Sequence, residues 1–118
     1  MKTAIIIKEK HVKEWVKDLL NDYKIMNAST TPPWGFEGWY YMPVQNGYGV
    51  SRIADFIGHY RGRFFAIETK APGKKCTGLQ ERLGLEINQT GAHWVVINDM
   101  KDIKQFAEWL NHIKRGVM

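Results

Sequence analysis

Three residues in the middle of the chain, Asp55, Glu68 and Lys70, have the types and spacing for chemistry on a phosphate ester. Glu68 and Lys70 are two apart in a segment of strand character, so their side chains leave the same face of a sheet. Phe64, Phe65, Ala66 and Ile67 before them are continuously apolar, as in a central strand covered on both faces. A carboxylate and an ammonium at the end of such a strand need partners, because either one buried alone costs several kcal/mol. Asp55 is the first partner. If Arg61-Gly62 is a two-residue hairpin loop, Tyr60 pairs with Arg63, and counting back sets Asp55 opposite Glu68. A three-residue loop would instead slide Asp55 to oppose Ile67. Cross-strand neighbours have Cβ atoms about 5 Å apart, and two like charges so placed repel. A divalent cation between them makes the pair tolerable.

Such a set suits phosphodiester hydrolysis. Mg²⁺ or Mn²⁺ takes hard oxygen ligands, one or two of them carboxylates, and leaves positions for water and a substrate phosphate. The ion polarises the phosphoryl oxygen and lowers the pKa of water. Asp55 and Glu68 are the expected ligands, with the backbone carbonyl of Thr69 as a third. Lys70 is the group that orients water or neutralises charge building on the phosphate. The competing reading of Asp55, Glu68 and Lys70 is a structural salt-bridge cluster, which would carry one excess carboxylate and contribute little stability.

The elements that must position these residues follow from periodicity. Residues 9–23 carry Val12, Trp15, Val16, Leu19, Leu20 and Tyr23 at helical spacing. Residues 27–38 hold two prolines, two glycines and Ser29-Thr30-Thr31, and read as an irregular loop. A short strand is expected within 39–44, then strands over 53–59 and 63–71 joined at Arg61-Gly62. A helix is expected over 77–90, with Leu79, Leu83 and Ile87 on one side and Gly91 as its stop. A strand over 93–97 and a helix over 99–114 follow, the latter turning Ile103, Phe106, Ala107 and Leu110 inward. The expected order is α-β-β-β-α-β-α: one α/β domain over residues 1–118, a mixed central sheet flanked by helices.

Composition narrows the partners. Seventeen Lys and Arg against twelve Asp and Glu give +5 at neutral pH, a surplus that favours a polyanion. Lone Cys76 excludes an intramolecular disulfide and a cysteine-cluster zinc site, which fits a reducing cytoplasm. The apolar run near Met1 is too short for a secretory segment and no stretch has transmembrane length. A cytoplasmic protein with no membrane and no organic cofactor is expected. His11, His59, His93 and His112 show no zinc spacing.

Asp55, then Glu68-Thr69-Lys70 after a short hairpin, then a helix carrying Gln80, resembles the PD-(D/E)XK nuclease superfamily. The stretch from Gly49-Val50-Ser51-Arg52-Ile53-Ala54-Asp55-Phe56-Ile57-Gly58 through Gly62-Arg63-Phe64-Phe65-Ala66-Ile67-Glu68-Thr69-Lys70-Ala71-Pro72-Gly73 to Gln80, then Gly91-Ala92-His93, resembles its VRR-NUC branch, especially short phage-encoded members. The resemblance spans roughly residues 49–97, and departs from the family where Ala54 replaces a usual proline. It implies a restriction-endonuclease-like core and Mg²⁺- or Mn²⁺-dependent endonuclease activity on DNA. Stand-alone members resemble homodimers acting on branched DNA such as Holliday junctions, and a phage-encoded member would work in the cytoplasm of a bacterial host. Gln80 would support the metal site, although Thr77-x-x-Gln80 is equally a capping box. Glu9 would be an extra ligand from the first helix, or else a residue of a frayed turn. Lys74 and Lys75 follow the catalytic strand and, with Arg52, Arg61 and Arg63, are candidates for DNA phosphates or for plain solvated surface.

The segment 34–42 carries Trp34, Phe36, Trp39, Tyr40, Tyr41 and Met42, six aromatics or methionine in nine residues. It is expected at a homodimer interface, because one chain carries one such site and paired cuts need two, with burial in the core or stacking on unpaired bases as the competing readings. Two other classes compete with the nuclease: a non-catalytic DNA-binding module on a nuclease-like fold, and a basic module that binds a host factor. The intact Asp55, Glu68 and Lys70 set argues against both.

Overall fold

A computed structural model describes residues 5–29, 35–44 and 54–116. Trp34, Arg52 and the stretch 49–53 lie outside the described residues. The chain runs α1 (Glu9–Asp22), β1 (Ile25–Asn27), β2 (Gly38–Tyr41), β3 (Phe56–Tyr60), β4 (Arg63–Thr69), α2 (Gly78–Gln89), β5 (His93–Ile97) and α3 (Met100–Lys114). The order is α-β-β-β-β-α-β-α, one strand more than the periodicity predicts. The addition is β1, three residues long, too short to show any period. It is held by parallel pairing with β2, Met26 opposite Trp39.

The five strands form one mixed sheet in the order β1-β2-β3-β4-β5. β2, β3 and β4 are antiparallel neighbours. β5 lies parallel to β4, and the chain crosses between them through α2, as a parallel pair requires. Pairing sorts the side chains onto two faces. Phe56, Tyr60, Phe65, Ile67 and Ile97 share one face and make the core with Val12, Val16 and Leu20 of α1 and Ile103, Phe106, Leu110 and Ile113 of α3. Val12, Val16 and Leu20 are fully buried, each contributing on the order of 2 kcal/mol. The expected inward residues of α3 hold except that Ile113 is also buried and Ala107 only half-buried.

The second face carries Ala66, Glu68, Trp94 and Val96, with α2 laid across it. Here the helix departs from expectation. Its buried residues are Gln80 and Gly84, whereas Leu79 is 60% exposed. A Cβ on Gly84 would fall 2.2 Å from Cε3 of Trp94, so the indole packs directly on the helix backbone. A leucine stripe is the stronger pattern in the sequence, but close approach selects the glycine. β4 is also not covered along its whole length, since Phe64 is 42% exposed.

β5 is an edge strand, and side chains bond its outward backbone groups at Trp94 and the backbone just past its end at Asn98. Asn88 accepts from the Trp94 amide at 2.8 Å and donates to the Trp94 carbonyl at 3.4 Å. Asp102 accepts from the Asn98 amide at 3.0 Å. Among the described residues no helix is long and apolar enough to cross a membrane.

Candidate active site at the end of the hairpin

The β3–β4 hairpin turns on Arg61 (φ 49°) and Gly62 (φ 82°), two consecutive left-handed residues that match the twist of the strands. Tyr60 therefore pairs with Arg63, and the register runs through to Phe56 opposite Ile67. The three-residue alternative is excluded. The ladder ends there, and Asp55 leaves it by donating its amide to the Ile67 carbonyl at 3.0 Å. Its carboxylate turns to Thr69: Oδ2 accepts from the Thr69 amide at 2.8 Å and from the Thr69 hydroxyl at 2.7 Å. Thr69 is fully buried and fixes the rotamer of Asp55. This positioning of Asp55 is a role for Thr69 that the sequence does not suggest.

Glu68 is 6% exposed, next to Asp55 at the end of β4. Its Oε1 accepts from Nε2 of Gln80 at 3.1 Å and lies 3.7 Å from the Lys70 ammonium. Gln80 forms the expected capping box and also reaches Glu68. Its Oε1 accepts from the Thr77 amide at 2.9 Å, its own amide donates to the Thr77 hydroxyl at 3.2 Å, and the other end of the same amide group holds Glu68. The capping box thus sets the direction of the Gln80 side chain, and the start of α2 becomes a support for the carboxylate.

From the other side of the sheet, α1 contributes Lys13, a residue the sequence reading missed. Its ammonium is 3.3 Å from Glu9 Oε2 and 3.8 Å from Asp55 Oδ1. The signal was the i, i+4 spacing of Glu9 and Lys13, which favours an ion pair. Glu9 stands at the mouth of the site, bound to Lys13, its side chain 42% exposed.

Three carboxylates thus face two ammonium groups, and the deficit falls on the most buried acid. The Glu68 carboxyl is pushed up to about 7, first by burial and then by the charge of Asp55, against the lowering effect of Lys70. A hydrogen bond with Asp55 and the charge of Glu9 act in the same upward direction. Cys76, half-buried nearby, is raised by burial and then by Glu68.

A divalent cation fits this chemistry in one form only. Among the described residues, no group of three or more His, Cys, Asp or Glu side chains is placed to hold a metal ion by itself. Two carboxylates and the Thr69 carbonyl are a donor set for Mg²⁺ or Mn²⁺ that keeps water and phosphate on its other positions. The missing positive charge beside Glu68 is the observation that favours such an ion.

The basic residues divide. Ala71-Pro72-Gly73-Lys74 is a tight turn, with Gly73 at φ 81° and the Lys74 amide bonded to the Ala71 carbonyl at 3.0 Å. It leaves Lys74 and Lys75 exposed just past the site. Arg61 is engaged structurally, 2.6 Å from Glu37 and donating to the Lys114 carbonyl at 3.2 Å. Arg63 is exposed at the opposite end of β4 from Glu68, roughly 17 Å away along the strand. Three of the four histidines have identified partners: His11 accepts from the Lys8 amide, His59 accepts from the Gly62 amide, and His93 stacks on Trp109 at 4.3 Å.

No family model, no curated protein and no solved structure matches the chain.

Proposed function

We propose that the protein is a Mg²⁺- or Mn²⁺-dependent DNA endonuclease of the VRR-NUC kind, within the PD-(D/E)XK superfamily, with Asp55, Glu68 and Lys70 as its active site. The observation that carries this reading is the charge deficit at Glu68: a carboxyl held near neutrality beside a second, rigidly oriented carboxylate is poorly stabilised without a cation. When bound, the ion would supply Lewis-acid activation of the phosphoryl oxygen and of water. Asp55 and Glu68 would hold it, with the Thr69 carbonyl. Thr69 and Gln80 fix the two carboxylates from behind, so that little reorganisation is needed when the cation arrives. Lys70 offers its ammonium to the charge that develops on the phosphate. Exposed Lys74 and Lys75 lie where they would take flanking phosphates, and the net charge of +5 suits a polyanion.

The preferred substrate is branched DNA, cut in pairs by a cytoplasmic homodimer. The alternation of β2 supports the dimer: Tyr40 turns into the core, while Trp39 and Tyr41 are 40% and 42% exposed on the face that also carries Phe64. Incubation with linear, flap, nicked and four-way-junction DNA in Mg²⁺ or Mn²⁺, then in EDTA, tests the reading. Metal-dependent cleavage that favours the junction is expected, and no cleavage of any substrate in either metal refutes it.

A further inference from the structure

The two oxygens of Asp55 are used differently. Oδ2 is committed to the Thr69 amide and hydroxyl, whereas Oδ1 faces the Lys13 ammonium at 3.8 Å. Glu68 holds Gln80 and Lys70 both on Oε1 and also shares a hydrogen bond with Asp55. A cation held by Asp55 would have to compete with the Lys13 ammonium for this carboxylate. Lys13 is half-buried at the end of a flexible four-carbon stem, and Glu9 one helical turn away keeps its ammonium at the mouth.

We infer that Lys13 is a resident counter-ion that opposes metal loading until a substrate phosphate draws its ammonium away, so that metal and DNA bind cooperatively. This rests on the proposed nuclease reading and adds a residue and a coupling to it. The ammonium and a divalent ion about 5 Å apart repel even through water, enough to weaken metal binding on the order of tenfold. A phosphate at the mouth offers the ammonium an alternative anion and lifts that opposition. By reciprocity, the metal must then raise DNA affinity by the same factor.

Calorimetry with Mn²⁺ alone, on wild type and Lys13→Met, is the first measurement. Methionine keeps the length and helix propensity of the side chain without its charge, and Lys13→Gln carries the same comparison if Lys13→Met fails to fold. The second measurement repeats both titrations in the Lys70→Ala background, which suppresses turnover, with and without a phosphorothioate oligonucleotide, so that the DNA-induced gain is read within one background. The expected result is Mn²⁺ binding about tenfold tighter in Lys13→Met without DNA, and loss of most of the DNA-induced gain seen when Lys13 is present. Equal affinities in the two proteins overturn the inference while leaving the nuclease reading intact. Weaker binding in Lys13→Met also overturns it, by showing that Lys13 merely orients Asp55. If wild type binds no Mn²⁺ with or without DNA, the metal reading falls and the inference falls with it. Asp55→Asn, which should abolish the heat of binding, assigns the signal to this site.

Discussion

Replacing Glu68 by glutamine should make the metal-free protein more stable while abolishing cleavage. The carboxyl is held at about 7 in the folded chain against an ordinary value of 4.5. Between those values the folded state binds more protons than the unfolded state, so stability falls as pH rises through the window and stays low above it. At full strength the displacement is worth roughly 3 kcal/mol, and water at the mouth of the site reduces this to about 1–2 kcal/mol. Glutamine keeps the size of the side chain and an oxygen that can accept from Gln80, but carries no charge. At pH 8, Glu68→Gln should therefore melt about 4–8 °C above wild type, and the gap should close towards pH 4.5. Adding Mg²⁺ should raise wild type and leave the variant unchanged, because only a protein that binds the ion gains by mass action. Thermal melts at pH 4.5, 6 and 8, with and without Mg²⁺, read all three effects. A variant less stable than wild type at pH 8, or a gap that does not vary with pH, would refute the charge-deficit account of the site.

Lys70→Ala should fold and bind DNA normally yet cleave about a hundredfold more slowly or worse, and wild-type rates in this variant would remove Lys70 from the site. Gln80→Ala should lower the melting point through the lost cap, by about 1 kcal/mol, and also lower the rate through Glu68; an unchanged rate beside a lowered melting point would leave Gln80 as a cap only. Gly84→Ala should force α2 off Trp94, at about 1–3 kcal/mol, and slow cleavage because Gln80 sits one turn earlier on the same helix; an unchanged melting point would show that the indole moves aside freely. Light scattering at micromolar concentration should show a dimer that Trp39→Glu converts to monomer, and a monomeric wild type that still makes paired cuts in a junction would sink the dimer.

Local rules made the hairpin and the last helix readable. Arg61-Gly62 pins the register within two residues of the turn, and Asp99 caps α3 as its type suggests, accepting from the Asp102 amide at 2.9 Å. Asp55, Glu68, Lys70 and Gln80 come together because that register and the capping box determine their placement. What escaped the sequence was contact between distant segments. β1 exists only through its pairing with β2, and Gly84 is buried only because the indole of Trp94, on the next strand, folds onto it. Lys13 was hidden for the same reason. Its partner Asp55 is forty-two positions on, and no local pattern announces a contact made across the sheet.

The side chains bonded to the outer edge of β5 at Trp94 and Asn98 have a consequence for how copies of this chain can associate. An open edge invites a neighbouring strand, and repeated edge-to-edge joining leads to polymers without limit. Asn88 stands in for that missing strand at Trp94, and Asp102 does so at Asn98. With those positions taken, growth of the sheet past β5 would first have to break hydrogen bonds already made. Replacing Asn88 by leucine would unmask the Trp94 amide and carbonyl together. The cost would appear less in the melting point than in slow aggregation on standing, as the edge recruits the edge of another molecule.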